Sequence, residues 1–227
     1  LVPGRVLLGK YPGQIPADLP SDWPVARDRI KEIVLRGGVT DLLSLQAELP
    51  PQGDESLWNP PATKGDDGVF FSGFRSYRGD AIAAVAGARG GSGGPAVNGD
   101  CGERSSGEGE GSKLAFHHFP IPDLSPAENV RLLAILHHPT TRTYALARRL
   151  QVVFIHCWAG RGRTGLISAC LLGKLYPRLT AEQSLSRVDA YYRTRGTVAV
   201  GKTSRVSPET EGQEDQVRMF FNQILKK

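Results

Sequence analysis

One cysteine, two arginines and three glycines stand close together in the segment His156-Cys157-Trp158-Ala159-Gly160-Arg161-Gly162-Arg163-Thr164-Gly165. A glycine-punctuated loop that joins a strand to a helix turns successive backbone N–H groups inward, and the nest they form binds an oxyanion at the positive end of the helix dipole. The same field favours the thiolate form of Cys157 over the thiol. Arg163 adds a fixed positive charge and can bind phosphate through two parallel hydrogen bonds. These residues predict a nucleophile and a phosphate site built by one loop.

Apolar segments on either side of this loop predict the elements that position it. Gln151 to Ile155 is a continuous β-branched and apolar run, which is typical of a central strand buried on both faces. Leu166 to Leu175 predicts an apolar helix in which Cys170 is a core residue. Further upstream, Arg5 to Leu8 and Val39 to Leu45 also read as strands.

A helix joins the first two of these strands. Ala26, Ile30, Ile33 and Val34 repeat at helical spacing, and Gly37-Gly38 supply the left-handed stop that ends many helices. A helix between two buried strands is the crossover expected of parallel pairing. We therefore predict an α/β fold: a central, mostly parallel sheet of four or five strands with helices on both faces. The functional site should lie beyond the carboxyl ends of the strands.

Residues 73–112 differ in composition from the rest of the chain. Ten of the 27 glycines lie from Gly87 to Gly111, among serines and isolated charges without apolar periodicity. Such a segment cannot form a core. We predict a single domain over residues 1–227 that contains 73–112 as a disordered, flexible insertion, in which Cys101 is incidental. A regulatory or partner-binding arm is the alternative interpretation.

A candidate acid stands upstream of the cysteine, in the stretch Phe119-Pro120-Ile121-Pro122-Asp123. Leu114 to Phe119 alternates as a strand does, and the prolines force an extended loop after it. The segment Ser125-Pro126-Ala127-Glu128 has the signature of a helix start, with Ser125 as the capping residue. Asp123 is therefore predicted to lie on a loop just before a helix.

The cysteine loop matches the His-Cys-x5-Arg-Ser/Thr signature of the protein tyrosine phosphatase superfamily at every defining position. It most resembles the compact dual-specificity-like enzymes and a bacterial and plant-type group of small tyrosine phosphatases. Similar features extend through Leu8–Gly13, Gly38–Thr40, Ile121–Asp123 and Ser207–Thr210. The resemblance thus covers most of the chain outside residues 73–112.

This resemblance implies hydrolysis of phosphomonoesters through a phosphocysteine intermediate on Cys157, with Arg163 clamping the equatorial oxygens. His156 would hold the loop and bias the ionisation of the cysteine, while the Thr164 hydroxyl would ease departure of the thiolate. Asp123, 34 residues before the cysteine, would protonate the leaving group and then act as base on water. An ordinary turn residue is the alternative for Asp123, because aspartate is common in turns for local reasons.

The resemblance also implies roles for further residues. The backbone and side chains of the loop would bind phosphate: Trp158, Ala159, Gly160, Arg161, Gly162 and Arg163. Gln213 stands where related enzymes keep a glutamine that orients the hydrolytic water; a solvated helix face is the alternative. Arg161 offers a second charge where phosphoinositide phosphatases, which the loop resembles here, have lysine; the alternative is a merely solvated side chain. No metal and no cofactor is implied, since the loop supplies positioning and charge.

The predicted substrate is a phosphorylated protein, with phosphotyrosine preferred and phosphoserine or phosphothreonine tolerated. Two alternatives stay open: a phosphoinositide or other small polyphosphate substrate, and an inactive module that binds phosphate without turning it over. A thiol-redox role would leave Arg163-Thr164 unexplained and needs a second nearby cysteine, which the sequence lacks.

Composition and charge limit the partners and the cellular compartment that we expect for the protein. The chain has 227 residues, 40% of them hydrophobic, and a formal net charge of +5, which is only mildly basic, so we expect no nucleic-acid partner. Three cysteines are too few for a disulfide framework, which favours a reducing compartment. No apolar run is long enough to span a bilayer and no signal segment is visible. We expect a cytoplasmic monomer, while a targeting segment before Leu1 stays open.

Overall fold

A computed structural model of the chain describes residues 6–15, 20–49, 74–89, 114–137, 152–195 and 205–223. The strands within these ranges are β1 (Val6–Gly9), β2 (Asp41–Gln46), β3 (Ala115–Ile121) and β4 (Val153–His156). The α-helices within them are α1 (Trp23–Lys31), α2 (Arg78–Arg89), α3 (Asn129–His137), α4 (Gly162–Leu175), α5 (Ala181–Arg193) and α6 (Glu211–Gln223). No helix in the described ranges combines the length and the apolar character needed to cross a bilayer.

The four strands form one parallel sheet in the order β1-β4-β2-β3. Ile155 in β4 is the register partner of Leu8 on one side and of Leu43 on the other. Because all four strands run the same way, their carboxyl ends meet at one edge, where β4 leads into Cys157 and β3 into Asp123. The predicted α/β fold with a parallel sheet is confirmed.

Two apolar cores cover the two faces of this sheet. Leu43 and Ile155 pack with buried side chains of α3, α4, α5 and α6. Leu42 and Phe154 point the other way and pack with α1 and α2. Successive strand residues face opposite sides, so burial of every residue in β2 and β4 requires helices on both faces. This is the layer arrangement that the apolar runs predicted.

The helical segment that begins with α1 ends before Gly37-Gly38, as the sequence indicated. After Lys31 it continues as a wider, π-helical turn over Glu32–Arg36. Gly38 then adopts a φ of 62°, in the left-handed region that favours glycine. The chain can therefore turn directly into β2, which begins three residues later.

Residues 74–89 are part of the folded domain and contribute side chains to its core, so the interpretation of 73–112 as a flexible insertion is wrong for this part. Phe74, Tyr77 and Ala81 are buried against the sheet, and α2 packs on α1. Alanine is the best helix former, and α2 contains five alanines. This helix signal was overlooked because the glycine-rich stretch that follows dominates the composition of the segment. Residues 90–112, with Cys101, lie outside the described residues.

Helix α3 begins at Asn129 rather than just after Ser125, so the predicted capping signature is wrong. The Ser125 hydroxyl donates to the Asp123 carbonyl at 3.2 Å. The Ala127 N–H donates to Gln216 Oε1 at 2.7 Å, and the Ala127 carbonyl accepts from the same side chain. The Gln216 amide on α6 thus satisfies backbone groups that an earlier helix turn would otherwise have to pair.

Candidate active site

Cys157 follows directly on β4, and residues 157–163 form a turn, here called the cysteine loop, that leads into α4. Gly160 in this loop has a φ of 70°, and a side chain there would collide with the Gly9 carbonyl oxygen. Glycine is therefore required at this position. Because α4 begins at Gly162, its first N–H groups lack helical partners and the positive end of its dipole lies within the loop.

Cys157 is buried and borders a cavity of about 170 Å³. The cavity lies at the carboxyl edge of the sheet, and residues from three separate parts of the chain line it. They are Asp123, Leu124, Cys157, Trp158, Ala159, Gly162, Arg163 and Glu209. The structure therefore brings the predicted nucleophile, the predicted acid and the predicted phosphate clamp to one cavity.

Among the described residues that line this cavity, Arg163 is the cation, and 1% of its side chain is exposed. It donates to both Glu48 oxygens, at 2.5 and 2.6 Å, and to the Ile121 carbonyl at 3.1 Å. Asp123 Oδ1 lies 2.9 Å from its second terminal nitrogen. Burial alone would lower the pKa of Arg163, but the Glu48 hydrogen bonds together with the charges of Cys157, Glu48 and Asp123 raise the pKa overall. The guanidinium is a permanent, oriented charge.

Sequence reasoning missed Glu48, which is separated from Arg163 by 115 residues. A signal was nonetheless present. Glu48 follows the buried strand β2, and polar residues at the carboxyl ends of parallel strands gather at the functional edge of a sheet. Because β2 is hydrogen-bonded to β4, the residues that follow these two strands lie side by side.

His156 is fully buried, and burial lowers its pKa to about 3, against a smaller opposing effect of the Cys157 backbone. The Tyr77 hydroxyl and His156 Nε2 share a hydrogen bond of 2.7 Å. The Tyr11 and Phe154 rings pack on the imidazole, each with its centroid 5.6 Å away. The residue before Cys157 is therefore a rigid, neutral imidazole. Tyr77 was missed because it lies in the segment that the sequence analysis treated as an insertion.

Asp123 lies on the loop after β3, and 51% of its side chain is exposed. The next residue, Leu124, has a φ of 57°, a conformation that costs a non-glycine residue about 1–2 kcal/mol. The Thr210 hydroxyl donates to the Leu124 carbonyl at 3.2 Å. Contacts with residues outside the loop thus hold Asp123 and Leu124 at the cavity.

The Arg161 side chain turns away from the cavity. Its Nε donates to the Val206 carbonyl at 2.6 Å, and its Nη1 lies 3.2 Å from Glu209 Oε1. The Arg161 carbonyl accepts from Ser207 Oγ at 2.8 Å and from the Gly165 N–H at 3.0 Å. Among the predicted phosphate-binding residues, Arg161 therefore contributes backbone to the loop, while its charge is engaged by residues 206–209.

Asp189 on α5 anchors the segment that holds Arg161. Its Oδ1 accepts from the backbone N–H groups of Val206, at 2.7 Å, and Ser207, at 3.1 Å. Burial would raise the pKa of Asp189, but hydrogen bonds from Arg193 and from these two N–H groups lower it overall. A carboxylate on α5 is thus connected through Ser207 to the cysteine loop.

Gln213 is buried at the start of α6 beside the cysteine loop. Its Oε1 accepts from the Glu209 N–H at 3.0 Å, and its Nε2 donates to the Ser125 carbonyl at 3.1 Å. A side-chain carbon on Gly162 would meet this amide at 3.0 Å. The alternative of a solvated helix face is excluded for Gln213, which joins the 206–210 segment to the Asp123 loop.

His117, His118 and Cys170 lie outside the cavity lining. His117 and His118, adjacent on β3, contact Asp41 and the Gln46 carbonyl respectively. Cys170 is buried in α4, as predicted, and burial raises its pKa. These side chains belong to the scaffold.

No protein-family model and no curated sequence matches the chain, whereas solved structures do. The structure of Tk-PTP in its active form is similar with a TM-score of 0.53 and 16% identity, over 99% of this chain and 96% of that one. PTPMT1 has a TM-score of 0.52 and 13% identity, over 98% and 93%. A structure of PTPMT1 in complex with PI(5)P has a TM-score of 0.50. Together with the cysteine loop, these similarities show that the chain has the fold of the protein tyrosine phosphatase superfamily.

Proposed function

We propose that the protein hydrolyses phosphomonoesters through a phosphocysteine intermediate. One observation carries this proposal: the cavity beside Cys157 is also lined by the fixed guanidinium of Arg163 and the exposed carboxylate of Asp123. A nucleophile, an anion clamp and an acid in one cavity are the groups that phosphoryl transfer needs. The charge of the transferred group is spread over its equatorial oxygens, which Arg163 and the N–H groups of the cysteine loop would bind.

In the first step, the Cys157 thiolate attacks phosphorus and the bond to the ester oxygen breaks. The leaving oxygen takes its proton from Asp123. Arg163 Nη2 now donates to Asp123 at 2.9 Å, and a phosphate oxygen would compete for the same donor. Binding of the substrate would therefore free the carboxylate from Arg163, and it would take up a proton from solvent and deliver that proton to the leaving oxygen.

In the second step, water attacks the phosphocysteine and Asp123 accepts the proton from that water. The departing thiolate takes a hydrogen bond from Thr164, whose Oγ1 is buried and has no hydrogen-bond partner among the described residues. A buried hydroxyl of this kind calls for an explanation, and a hydrogen bond to the sulfur as it leaves phosphorus supplies one. We assign orientation of the attacking water to Gln213, whose Nε2 lies against Gly162.

We propose phosphotyrosine in a protein as the preferred substrate, with phosphoserine and phosphothreonine tolerated. The support is the apolar side of the cavity, which Leu124 and Trp158 line. The Phe74 ring packs edge-on against Trp158, with centroids 5.2 Å apart, and thereby fixes the indole. Two apolar side chains beside the anion site suit the ring of an aryl phosphate.

The test is hydrolysis of a phosphotyrosine peptide, a phosphoserine peptide and a phosphoinositide head group, with chelator and reductant present. We expect turnover that is fastest on phosphotyrosine and is abolished by Cys157→Ser. The matched control is Cys170→Ala, which removes the buried thiol of α4 and should retain turnover. The phosphoinositide is included because PTPMT1, similar in fold, has been solved with PI(5)P. Retained phosphate binding without turnover of any substrate would instead identify an inactive binding module.

A further inference from the structure

The ion pair between Arg161 and Glu209 stands at the side of the cavity. Their closest atoms are 3.2 Å apart, and the two side chains are 21% and 28% exposed. Only Glu209 of this pair lines the cavity. The pair therefore presents its negative member to the substrate, while its positive member is engaged by Glu209 and the Val206 carbonyl.

Glu209 is held in this place by its surroundings. Its backbone N–H donates to Gln213 Oε1 at 3.0 Å. Its Cβ would lie 3.2 Å from a side-chain carbon added at Gly162, a tight approach that favours glycine in the loop. The position of the Glu209 side chain thus follows from α6 on one side and the cysteine loop on the other.

The charges around the cavity favour one phosphate and oppose a second. The charged residues that line it are Asp123, Arg163 and Glu209, so Arg163 is the single cation among the described lining residues. The first phosphate would take this cation. A second phosphate on the same small molecule would then face carboxylates, and like charges brought together in a partly buried site repel.

We propose that Glu209 is a specificity-determining residue that restricts the site to substrates with one isolated phosphate. It acts in two ways: its carboxylate repels a neighbouring phosphate, and it keeps Arg161 from binding one. The inference rests on the proposed phosphatase function, because it states which phosphomonoesters that site accepts. A phosphorylated tyrosine side chain meets the requirement, whereas an inositol ring with adjacent phosphates does not.

The experiment compares kcat/KM for a phosphotyrosine peptide and for a soluble inositol bisphosphate head group in the wild type, Glu209→Gln and Glu211→Gln. Glu209→Gln removes the charge while preserving the shape, and should raise the bisphosphate-to-phosphotyrosine ratio roughly fivefold at low salt, and less at high salt. Glu211 is exposed and lies outside the cavity lining. Its variant makes the same charge change and should leave the ratio as it is.

An unchanged or lower ratio in Glu209→Gln, with the thermal unfolding midpoint preserved, overturns the inference but leaves the proposed function standing. A wild type that hydrolyses none of these substrates contradicts the proposed function instead. Thermal shifts with inorganic phosphate and pyrophosphate measure the same selectivity without turnover. Should Glu209→Gln not fold, Arg161→Ala provides the test: it leaves the Glu209 charge unpaired, so pyrophosphate should lose stabilising power relative to phosphate. A gain would overturn the inference.

Discussion

Glu48 and Arg163 are joined by two hydrogen bonds of 2.5 and 2.6 Å at the carboxyl edge of the sheet. Both side chains are buried. Charges taken out of water are tolerated when they are paired and hydrogen-bonded, and removal of one partner leaves the other uncompensated. Loss of either partner would therefore destabilise the fold, and the pair also orients the cation of the cavity.

Replacement of Glu48 by alanine should affect both roles of this pair. We expect Glu48→Ala to lower the free energy of unfolding by about 3 kcal/mol, because a buried guanidinium loses its main partner. Turnover of phosphotyrosine should fall about a hundredfold as the clamp loses its orientation. Urea unfolding and steady-state kinetics measure the two effects.

The exposed pair of Glu128 with Arg131, at 3.1 Å, provides the matched control. Exposed pairs contribute about 0–1 kcal/mol, so Glu128→Ala should change stability and turnover little. Equal effects of the two substitutions would show that the Glu48 pair has no special role.

Asp123→Asn should slow the reaction by a factor that depends on the leaving group. An alkyl or phenyl oxygen needs the proton, so turnover of phosphoserine and phosphotyrosine should fall about a hundredfold or more. An activated phenol leaves without help, and its release from the enzyme should be much less affected. Burst-phase and steady-state kinetics on the two kinds of substrate measure this difference, and a uniform loss on both would remove Asp123 from the role of acid.

Burial of His156 predicts acid destabilisation of the fold. The pKa of His156 is lowered to about 3 from an ordinary 6.5, so between these values the unfolded chain binds a proton that the folded chain does not. Stability is therefore complete above the ordinary value and falls as the pH drops toward 3. One such group contributes about 2 kcal/mol between about pH 7 and about pH 5. Urea unfolding at the two pH values should show a smaller loss in His156→Gln than in the wild type; an identical loss would contradict the prediction.

The contacts of Asp189 predict that a substitution outside the cavity lowers both the stability and the activity of the protein. Asp189→Ala leaves two backbone N–H groups without their acceptor, which should cost about 2 kcal/mol of stability and lower kcat/KM because Ser207 no longer supports the cysteine loop. Asp189→Asn should recover much of both quantities, since an amide oxygen can still accept from Val206 and Ser207. Chemical unfolding and kinetics test this order. Asp215→Ala, at an exposed position, should change stability and kcat/KM little.

The parts of the fold that could be read from the sequence are those encoded locally. The apolar run before His156 and the glycine-punctuated segment after it predicted a buried strand, a tight loop and a helix, and the structure has all three. Alternative strand orders were not distinguished, since the apolar runs of β1 and β2 do not show which of them neighbours β4.

The errors have a common physical cause, which is contact between distant parts of the chain. Local signals put a helix cap at Ser125, but the Gln216 amide pairs the backbone there and α3 starts later. Tyr77 carries no sequence signature of its own, and the only signal for Glu48 is its place after a buried strand. Folding brings these two residues to His156 and Arg163.

The strand order has a consequence for synthesis of the protein. β4 lies between β1 and β2, although the ribosome makes it more than a hundred residues after both. Until it emerges, β1 lacks its only strand neighbour in the described sheet, and the open strand edges are liable to aggregate. The anion nest is made of the residues that follow β4 directly, so it forms in the same late event as the sheet. A nascent chain that still holds residues 153–165 in the exit tunnel therefore lacks both the completed sheet and the cysteine loop.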